Sequence, residues 1–405
     1  MLVLIPVLNF ILEHLSPNDA LNLRLALRGY TSKEYNYLQK HPFMDLEINK
    51  LCNHCPKFVS DMILRHGFEF HSILTSTNDY MLQFYNDYPE IFNKIKKLGL
   101  KADWKMVSEN GPLTRYDISY MTQVQNLTIH NLIITPTSTK FEKLISLKFC
   151  DCVIKDNSFL SYCTNLRYLK LTGIHIKSIT PVKNLTKIES LNLLQTEVCD
   201  INPLKDFVNL RQLNLGYTNI TTVDALENCT NLTNLNLSWT ILDDIDALKG
   251  CINLTSLNLY GARICDTFCM HCTSLTDLNL SGTMVSSVES LGNCTNLVKL
   301  YISDTQVRNI IPLWRCTNLE KLHLGNSRVY DIAPLAYLTN LTTLHMDSTE
   351  ISDLTPLLGC INLTDVDISH TGVKDLTPLK NCKYLYAFDM YGTEAEPLEP
   401  FEHIV

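Results

Sequence analysis

Apolar residues return at a regular interval of about 22 residues through the C-terminal two thirds of the chain. The clearest unit, 210–231, opens with the pattern Leu-x-x-Leu-x-Leu, and the next unit repeats its apolar positions in phase, with Ile241 one place early. A fixed period of this length identifies a repeat protein. The first apolar residues of the successive units are Val124, Leu144, Leu166, Ile188, Leu210, Leu232, Leu254, Leu275, Leu297, Leu319, Leu341, Leu363 and Leu385.

Each unit is predicted to hold one short strand and a turn that returns on the opposite side. Leu213 and Leu215 alternate with Asn214, and this period-2 pattern points the leucines inward and the asparagine outward. An Asp-x-x-Pro-Leu segment follows in several units, and its proline excludes a central strand there. Because one unit has too few apolar side chains to offset the entropy lost on ordering its backbone, the units are expected to stack.

The Leu-x-x-Leu-x-Leu opening resembles that of the leucine-rich repeat family. This resemblance implies an α/β solenoid, a horseshoe that contributes one short strand per unit to a long concave sheet. Such a sheet is a recognition surface, because every unit adds outward-pointing side chains to it.

The first thirty residues carry a separate, helical pattern. Pro6 opens a stretch with Leu8, Leu12 and Leu15 on one face, and a Ser-Pro-Asn-Asp helix start precedes Leu21. These spacings resemble an F-box, the short helical module that holds a Skp-type adaptor in a cullin-RING ubiquitin ligase. The resemblance implies that Pro6, Leu8, Leu12, Leu15 and Leu21 bind the adaptor. The alternative is that the helices only cover the end of the solenoid.

Domain organisation follows from these two patterns. We expect an F-box-like helical module at residues 1–40, a helical linker and N-terminal cap at 41–123, the repeat solenoid at 124–393 and a C-terminal tail at 394–405. The solenoid then holds about 12–13 units. Ile95, Leu98 and Leu100 mimic a repeat opening inside the cap, so that stretch is either a degenerate unit or a part of the cap.

Fifteen cysteines are present, and eight of them occupy a single apolar position of the repeat. A free cysteine packs as a small hydrophobic residue, so we interpret these eight as reduced core residues of a cytosolic protein. The motif Cys52-x-x-Cys55 and the segment Cys265–Cys272 contain metal-ligand residue types, but packing is the preferred interpretation of both. We expect no metal and no cofactor. The eight cysteines are Cys163, Cys229, Cys251, Cys272, Cys294, Cys316, Cys360 and Cys382.

The net charge and the sequence motifs argue against several classes of function. The net charge of −8, without a run of lysine or arginine, argues against a nucleic-acid or anionic-membrane partner. The first twelve residues are apolar except for Asn9, but Glu13 follows too soon for a membrane span and no cleavage site is expected. We therefore expect a cytoplasmic or nuclear protein that is not secreted. Phosphate-loop, zinc-protease and nucleophile-elbow motifs are missing, so an enzyme is not expected.

Side chains that point outward from the strands are the candidate partner-binding residues. Along the central outward position, the residue type changes from lysine through asparagine to tyrosine, histidine and aspartate. Three aromatics follow the strands of consecutive units, and such clusters are typical of interface hot spots; the alternative is that they pack only on each other. Threonines after the strands are expected to bond backbone groups. The candidate set is Tyr217, Trp239, Tyr260, Tyr301, His323, His345 and Asp367.

The two resemblances together imply a substrate-recognition subunit of an SCF-type cullin-RING ubiquitin ligase. In that hypothesis the F-box holds the adaptor, and the concave face of the repeats selects an unknown protein substrate. The alternative hypothesis is a stand-alone scaffold or regulatory subunit without a link to ubiquitin. A secreted adhesion protein is disfavoured because no signal peptide is expected.

Overall fold

A computed structural model describes residues 45–47, 72–77, 97–102, 115–116, 118–119, 121–135, 138–242, 244–265 and 272–396. The chain divides into two compact units, Met1–His175 and Ile176–Val405. The proposed F-box-like module, with Pro6, Leu8, Leu12, Leu15 and Leu21, lies outside the described residues, and so does the Cys52–Cys55 pair. Adaptor binding therefore stays a prediction. No helix within the described ranges is long and apolar enough to cross a membrane.

The first unit contains a parallel sheet in which β1, β2, β3, β5, β7 and β9 pair in that order. Three short strands, β4, β6 and β8, form a second parallel ladder. One 3-10 helix is described in this unit, Ser158–Tyr162. The strands are β1 Asp45–Glu47, β2 Ser72–Thr77, β3 Lys97–Ala102, β4 Arg115–Tyr116, β5 Asn126–His130, β6 Ile133–Ile134, β7 Ser146–Cys150, β8 Val153–Ile154 and β9 Tyr168–Thr172.

Strands β1 to β4 lie where the sequence predicted a helical linker and cap at 41–123, and that prediction was wrong for these segments. The β2 sequence, Ser-Ile-Leu-Thr-Ser-Thr, is rich in β-branched residues, which favour an extended backbone. Strand β3 settles the ambiguity over Leu98 and Leu100, because both are buried and β3 pairs in parallel with β5. This stretch is a strand of the sheet.

The second unit repeats one strand and one turn with the period of the sequence, shortened by one residue between Leu257 and Leu278. Its ten strands lie parallel, each paired with the next in the chain, and Leu213 pairs with Leu235 as Asn214 pairs with Asn236. The predicted repeat sheet is therefore confirmed. The strands are β10 Ser190–Asn192, β11 Gln212–Asn214, β12 Asn234–Asn236, β13 Ser256–Asn258, β14 Asp277–Asn279, β15 Lys299–Tyr301, β16 Lys321–His323, β17 Thr343–His345, β18 Asp365–Asp367 and β19 Ala387–Asp389.

Short 3-10 helices lie after the strands, at the segments where the sequence placed proline. Proline occupies the first or second helical position in several of them, where its fixed φ is tolerated and its missing N–H has no cost. The described 3-10 helices of this unit are Thr180–Val182, Asn202–Leu204, Asp224–Leu226, Asp246–Gly250, Glu289–Asn293, Ile311–Arg315, Ala333–Tyr337, Thr355–Gly359 and Thr377–Leu379.

The core is a stack of aliphatic residues at equivalent repeat positions. The sequence placed Ile241 in this core, one position early, and the structure corrects that assignment. Leu242 is 2% exposed and fills the position of Ile220, whereas Ile241 is 52% exposed. The repeat register is therefore unbroken at this unit, and Ile241 is a surface residue.

Three kinds of side chain bond to the backbone of the repeats, one within a repeat and two between neighbouring repeats. Thr218 Oγ1 donates to the Leu215 carbonyl at 2.5 Å, which confirms the predicted threonine ladder, although the acceptor lies in the same repeat. Asn253 Nδ2 donates to the Thr230 carbonyl of the preceding repeat at 3.0 Å. The same bond between repeats is made by Asn165, Asn209, Asn231, Asn296, Asn318, Asn340 and Asn362. This asparagine ladder was missed at the sequence level, because these asparagines belong to the repeat consensus and carry no separate signal.

Buried thiols are the third fastening. The twelve described cysteines are free, and only Cys199 and Cys265 are exposed. Cys251 Sγ, for example, points at the Cys229 carbonyl of the preceding repeat at 3.7 Å. Burial raises the pKa of Cys229 to about 11 and that of Cys294 to about 12, so these side chains are protonated hydrophobic residues.

Candidate functional site

The candidate site is the strand face of the second unit, formed by the first and third residues of β10–β19 and by the turn that follows each strand. In most of these strands the middle residue is buried and its two neighbours are partly or fully exposed. This alternation is what a three-residue strand with one buried face requires. The structure therefore places Tyr301, His323, His345 and Asp367 on one column of this face, as predicted.

Asparagines in the third strand position also shape the turns. The Oδ1 atom of Asn214 accepts the Gly216 N–H at 3.0 Å, and Asn236 makes the same bond with Ser238. Asn236 Nδ2 in turn donates to Asn214 Oδ1 at 3.1 Å. Because these oxygen atoms are committed to turns, the asparagine column offers a partner mainly N–H donors.

Each turn contains one residue with a left-handed backbone, with φ between 52° and 76° in the second unit. Glycine, asparagine, aspartate, glutamine, serine or histidine fills this position in eight turns, but Tyr217 (φ 54°) and Trp239 (φ 57°) fill it in two. A bulky L-residue in this region is strained, and such strain concentrates at functional sites. The left-handed turn was missed at the sequence level because the residue type at this position varies among the repeats, with glycine in only three of the ten turns.

Tyr217, Trp239 and Tyr260 form a continuous cluster, which we call the aromatic ridge. The rings of Tyr217 and Trp239 are stacked, with centroids 5.7 Å apart and planes at 29°. Trp239 meets Tyr260 edge to face, at 5.5 Å and 85°. The three side chains stay 50%, 46% and 40% exposed. The three rings therefore pack on each other and are at the same time exposed to a partner.

Tyr260 does not occupy the turn position of Tyr217 and Trp239. It lies one residue earlier, and Gly261 takes the left-handed position with φ of 65°. A Cβ atom at Gly261 would lie 3.0 Å from Trp239 Cδ2, so the glycine lets the indole rest on the backbone. The indole thus packs on the Tyr217 ring and on the Gly261 backbone while the residue stays 46% exposed.

A second group of rings, which we call the ring column, consists of Tyr301, His323 and His345. Ring centroids are 4.8 Å apart between Tyr301 and His323 and 4.2 Å apart between the two histidines. Burial, and after it the neighbouring His345, lowers the pKa of His323 to about 4. Burial and the carboxylate of Asp277 raise the pKa of Tyr301. At neutral pH His323 and Tyr301 are therefore uncharged.

Carboxylates border the ring column. His345 Nε2 is buried and makes no hydrogen bond, although Asp365 Oδ1 lies 3.2 Å away. Asp367 Oδ1 accepts the Ser369 N–H at 2.9 Å, so this predicted site residue also holds its own turn. Asp367 therefore stabilises its turn and is also part of the exposed face.

Asp347 belongs to the same surface and was missed at the sequence level. Its carboxylate lies over Gly325 of the preceding repeat, where an added Cβ would overlap Asp347 Oδ1. Burial raises the pKa of Asp347, and the negative charge of Asp367 raises it further. Among the described residues, no lysine or arginine forms a salt bridge with it. The carboxylate occupies space that Gly325 of the preceding repeat leaves open. This contact could be foreseen only by aligning the two repeats.

Comparisons with known proteins agree with the repeat architecture. The family described as Leucine Rich repeats (2 copies) matches residues 208–250 and 317–359, so leucine-rich repeats are present in the second unit. A search of curated protein sequences finds no match.

Solved structures with similar folds come from bacteria and plants. A leucine-rich repeat protein of Leptospira interrogans is 16% identical, with a TM-score of 0.66 over 90% of this chain and 87% of that one. The functional domain of InlJ from Listeria monocytogenes, described as including a cysteine ladder, is 19% identical, with a TM-score of 0.60 over 72% and 61%. The plant peptide hormone receptor RGFR1 in complex with RGF2 is 17% identical, with a TM-score of 0.59 over 80% and 59%. At these identities the likeness shows the fold.

Proposed function

We propose that this leucine-rich repeat chain is a binding scaffold rather than an enzyme, and that the strand face of its second unit binds a protein partner through the aromatic ridge. The observation that carries the proposal is the left-handed backbone of Tyr217 and Trp239. Each such residue costs roughly 1–2 kcal/mol relative to a right-handed conformation. A glycine, as at Gly261, would avoid this cost, so retaining two exposed aromatics there favours a functional role.

The geometry also favours one mode of binding. Because Trp239 packs on Tyr217, Tyr260 and Gly261 and is still 46% exposed, a partner meets a preformed aromatic surface that also carries the hydroxyl groups of the tyrosines. A ridge already held in place loses little side-chain entropy when a partner binds, and this preorganisation strengthens binding. The plant receptor of similar fold is in complex with RGF2, and a peptide segment of a protein is the corresponding partner proposed here.

A photo-cross-linking experiment tests this proposal. A photoreactive phenylalanine analogue replaces Tyr217 on the ridge, and the matched control places the same analogue at Tyr337, which is 62% exposed on a 3-10 helix. We expect a specific protein to be cross-linked from position 217 and not from position 337. Equal cross-linking of the same proteins from both positions would contradict the proposal.

The ubiquitin-ligase hypothesis is a second, finer proposal, and the sequence resemblance at Pro6, Leu8, Leu12, Leu15 and Leu21 alone supports it. If it holds, a Skp-type adaptor and a cullin co-purify with the chain, and Leu8→Asp or Leu12→Asp abolishes this association while the repeats stay folded. Adaptor capture that persists in both variants would leave the stand-alone scaffold as the account of the protein.

We also propose that the protein works in a reducing compartment, such as the cytoplasm. The ten buried and two exposed cysteines described are all free, which is the usual state of thiols under reducing conditions. Localisation of the tagged full chain in cells, with a cytosolic or nuclear signal expected, tests this point.

A further inference from the structure

The strand face of the second unit has two chemically different halves. Over β10–β13, every outward residue of the strands and of the following turns is uncharged, in a chain whose charged fraction is 19%. This half holds the aromatic ridge and the asparagine column. In each repeat its outward residues are the first and third residues of the strand and the two residues of the turn, such as Gln212, Asn214, Gly216 and Tyr217.

The other half, over β14–β18, is charged, and only some of its charged side chains form salt bridges with each other. Lys299 forms a salt bridge with Asp277 at 3.3 Å. Asp347 has no salt bridge to a lysine or arginine among the described residues. Asp367 and Asp304 raise its pKa and His345 lowers it, which places two carboxylates and one imidazole nearby. A partner that brings a positive charge to Asp347 would therefore relieve an existing repulsion.

The location of Asp347 decides which cation fits. Its carboxylate leans over Gly325 and interacts electrostatically with His345 of the ring column, which gives it a fixed position between two repeats. No three histidine, cysteine, aspartate or glutamate side chains within the described residues converge as metal ligands. A guanidinium group has five donors in a planar fork and can bond more than one carboxylate, whereas an ammonium group acts as a point charge.

The neighbouring rings are compatible with such a group. His323 is neutral at physiological pH, so it does not repel a cation placed above the column. The edges of Tyr301, His323 and His345 remain partly exposed and can cover the methylene stem of an arginine.

We infer that the strand face binds one polypeptide segment that is uncharged and apolar over the aromatic ridge and carries an arginine over the ring column, where the guanidinium pairs with Asp347. This inference rests on the proposed function. The turn of Tyr217 follows β11 and that of Asp347 follows β17, so the two anchors lie about 29 Å apart at about 4.8 Å per strand. An extended segment of about nine residues covers that distance.

Peptide selection tests the inference. Random peptides of about 16 residues, long enough to reach both anchors when extended, are displayed and selected on the immobilised full chain. We expect enriched peptides to carry apolar residues and an arginine separated by about nine positions. Their affinities are then measured by fluorescence anisotropy on purified variants.

Two variants test separately the charge and the position of the Asp347 carboxylate. Asp347→Asn removes the carboxylate charge, and Gly325→Ala keeps the charge but displaces the carboxylate, because the new Cβ would overlap Oδ1. Each is expected to weaken binding of the arginine peptides at least about tenfold. Glu350→Gln, an exposed carboxylate of the same repeat, and Gly292→Ala, whose Cβ would meet Pro312 at an ordinary 3.5 Å, are the matched controls and should leave affinity within about twofold.

The outcomes distinguish this inference from the proposed function. Enriched peptides without a basic residue, or peptides that bind Asp347→Asn as tightly as the unmodified chain, would overturn the arginine assignment. If those same peptides lose affinity in Trp239→Ala, the scaffold proposal stands without it. If no enriched peptide depends on Trp239 or Asp347, both proposals fail.

Discussion

Trp239 rests on Gly261 of the next repeat, so that a Cβ atom on the glycine would lie 3.0 Å from indole Cδ2 and 3.1 Å from Cε2 and Cε3. Gly261 meets two requirements in this turn, one of backbone conformation and one of space. Gly261 must adopt φ of 65° to continue the repeat, and it must also leave room for the indole. The aromatic ridge therefore depends on different residues at the same position of adjacent repeats, Trp239 in one and Gly261 in the next.

Gly261→Ala is expected to lower stability by about 1–2 kcal/mol, since alanine pays the cost of a left-handed backbone and presses on Trp239. The midpoint of urea unfolding, followed by circular dichroism, measures the effect. Gly372→Ala is the control, because its Cβ would find contacts of 3.4 Å or longer and its φ lies outside the left-handed region. Equal midpoints for the two variants would show that the contact carries no strain.

The strain at Trp239 predicts an order of stability between two truncations. Both Trp239→Ala and Trp239→Gly remove the stacking on Tyr217, but only glycine adopts φ near 57° without cost. We expect the glycine variant to be the more stable by roughly 1 kcal/mol. An alanine variant that is equally stable would indicate that the left-handed turn relaxes once the indole is gone.

His323 predicts a loss of stability in acid. Its pKa is lowered from the ordinary 6.5 to about 4 by burial and by His345. Between these values the unfolded chain binds a proton that the folded chain does not, so stability falls as the pH drops from about 6.5 to about 4. His323→Gln should make unfolding less dependent on pH in this window. A titration of the His323 ring proton by NMR with a midpoint near 6.5 would contradict this.

The thiols predict a two-phase labelling reaction. In the native protein, Cys199 and Cys265 are exposed and should react with a maleimide at once, whereas the ten buried cysteines should be protected. Desolvation raises the pKa of Cys251 to about 12, which suppresses its reactive thiolate even during local opening. After denaturation without reductant, all fifteen thiols should be labelled. Peptide mass spectrometry reads the sites, and disulfide-linked peptides would contradict the reducing compartment.

The repeat period alone predicted the parallel strands, their register, the inward leucines and the proline-containing turns of the second unit. It erred at Ile241 because an isoleucine near the expected position was preferred to the residue in phase, Leu242. It also missed strand β2, whose β-branched residues lie outside the regular period. Both errors came from judging a short stretch by its own residue types and not by its position in the 22-residue period.

The candidate site could be located from the sequence only in part. Outward positions follow from alternation, so Tyr217, Trp239, His323 and His345 could be named in advance. The sequence could not show that Trp239 rests on the backbone of the next repeat, because this depends on Gly261 there. Asp347 was missed for the same reason, since a contact between adjacent repeats determines where its carboxylate lies.

The affinity of the strand-face partner for two tryptophan variants tests the central claim most directly. Trp239 and Trp314 are 46% and 45% exposed, and each packs on a tyrosine, but Trp314 lies on a 3-10 helix and not on the strand face. For the protein cross-linked through position 217, Trp239→Ala should raise Kd at least about thirtyfold, or about 2 kcal/mol, while Trp314→Ala leaves it unchanged. An unchanged Kd for Trp239→Ala, or an equal loss in both variants, would contradict the account.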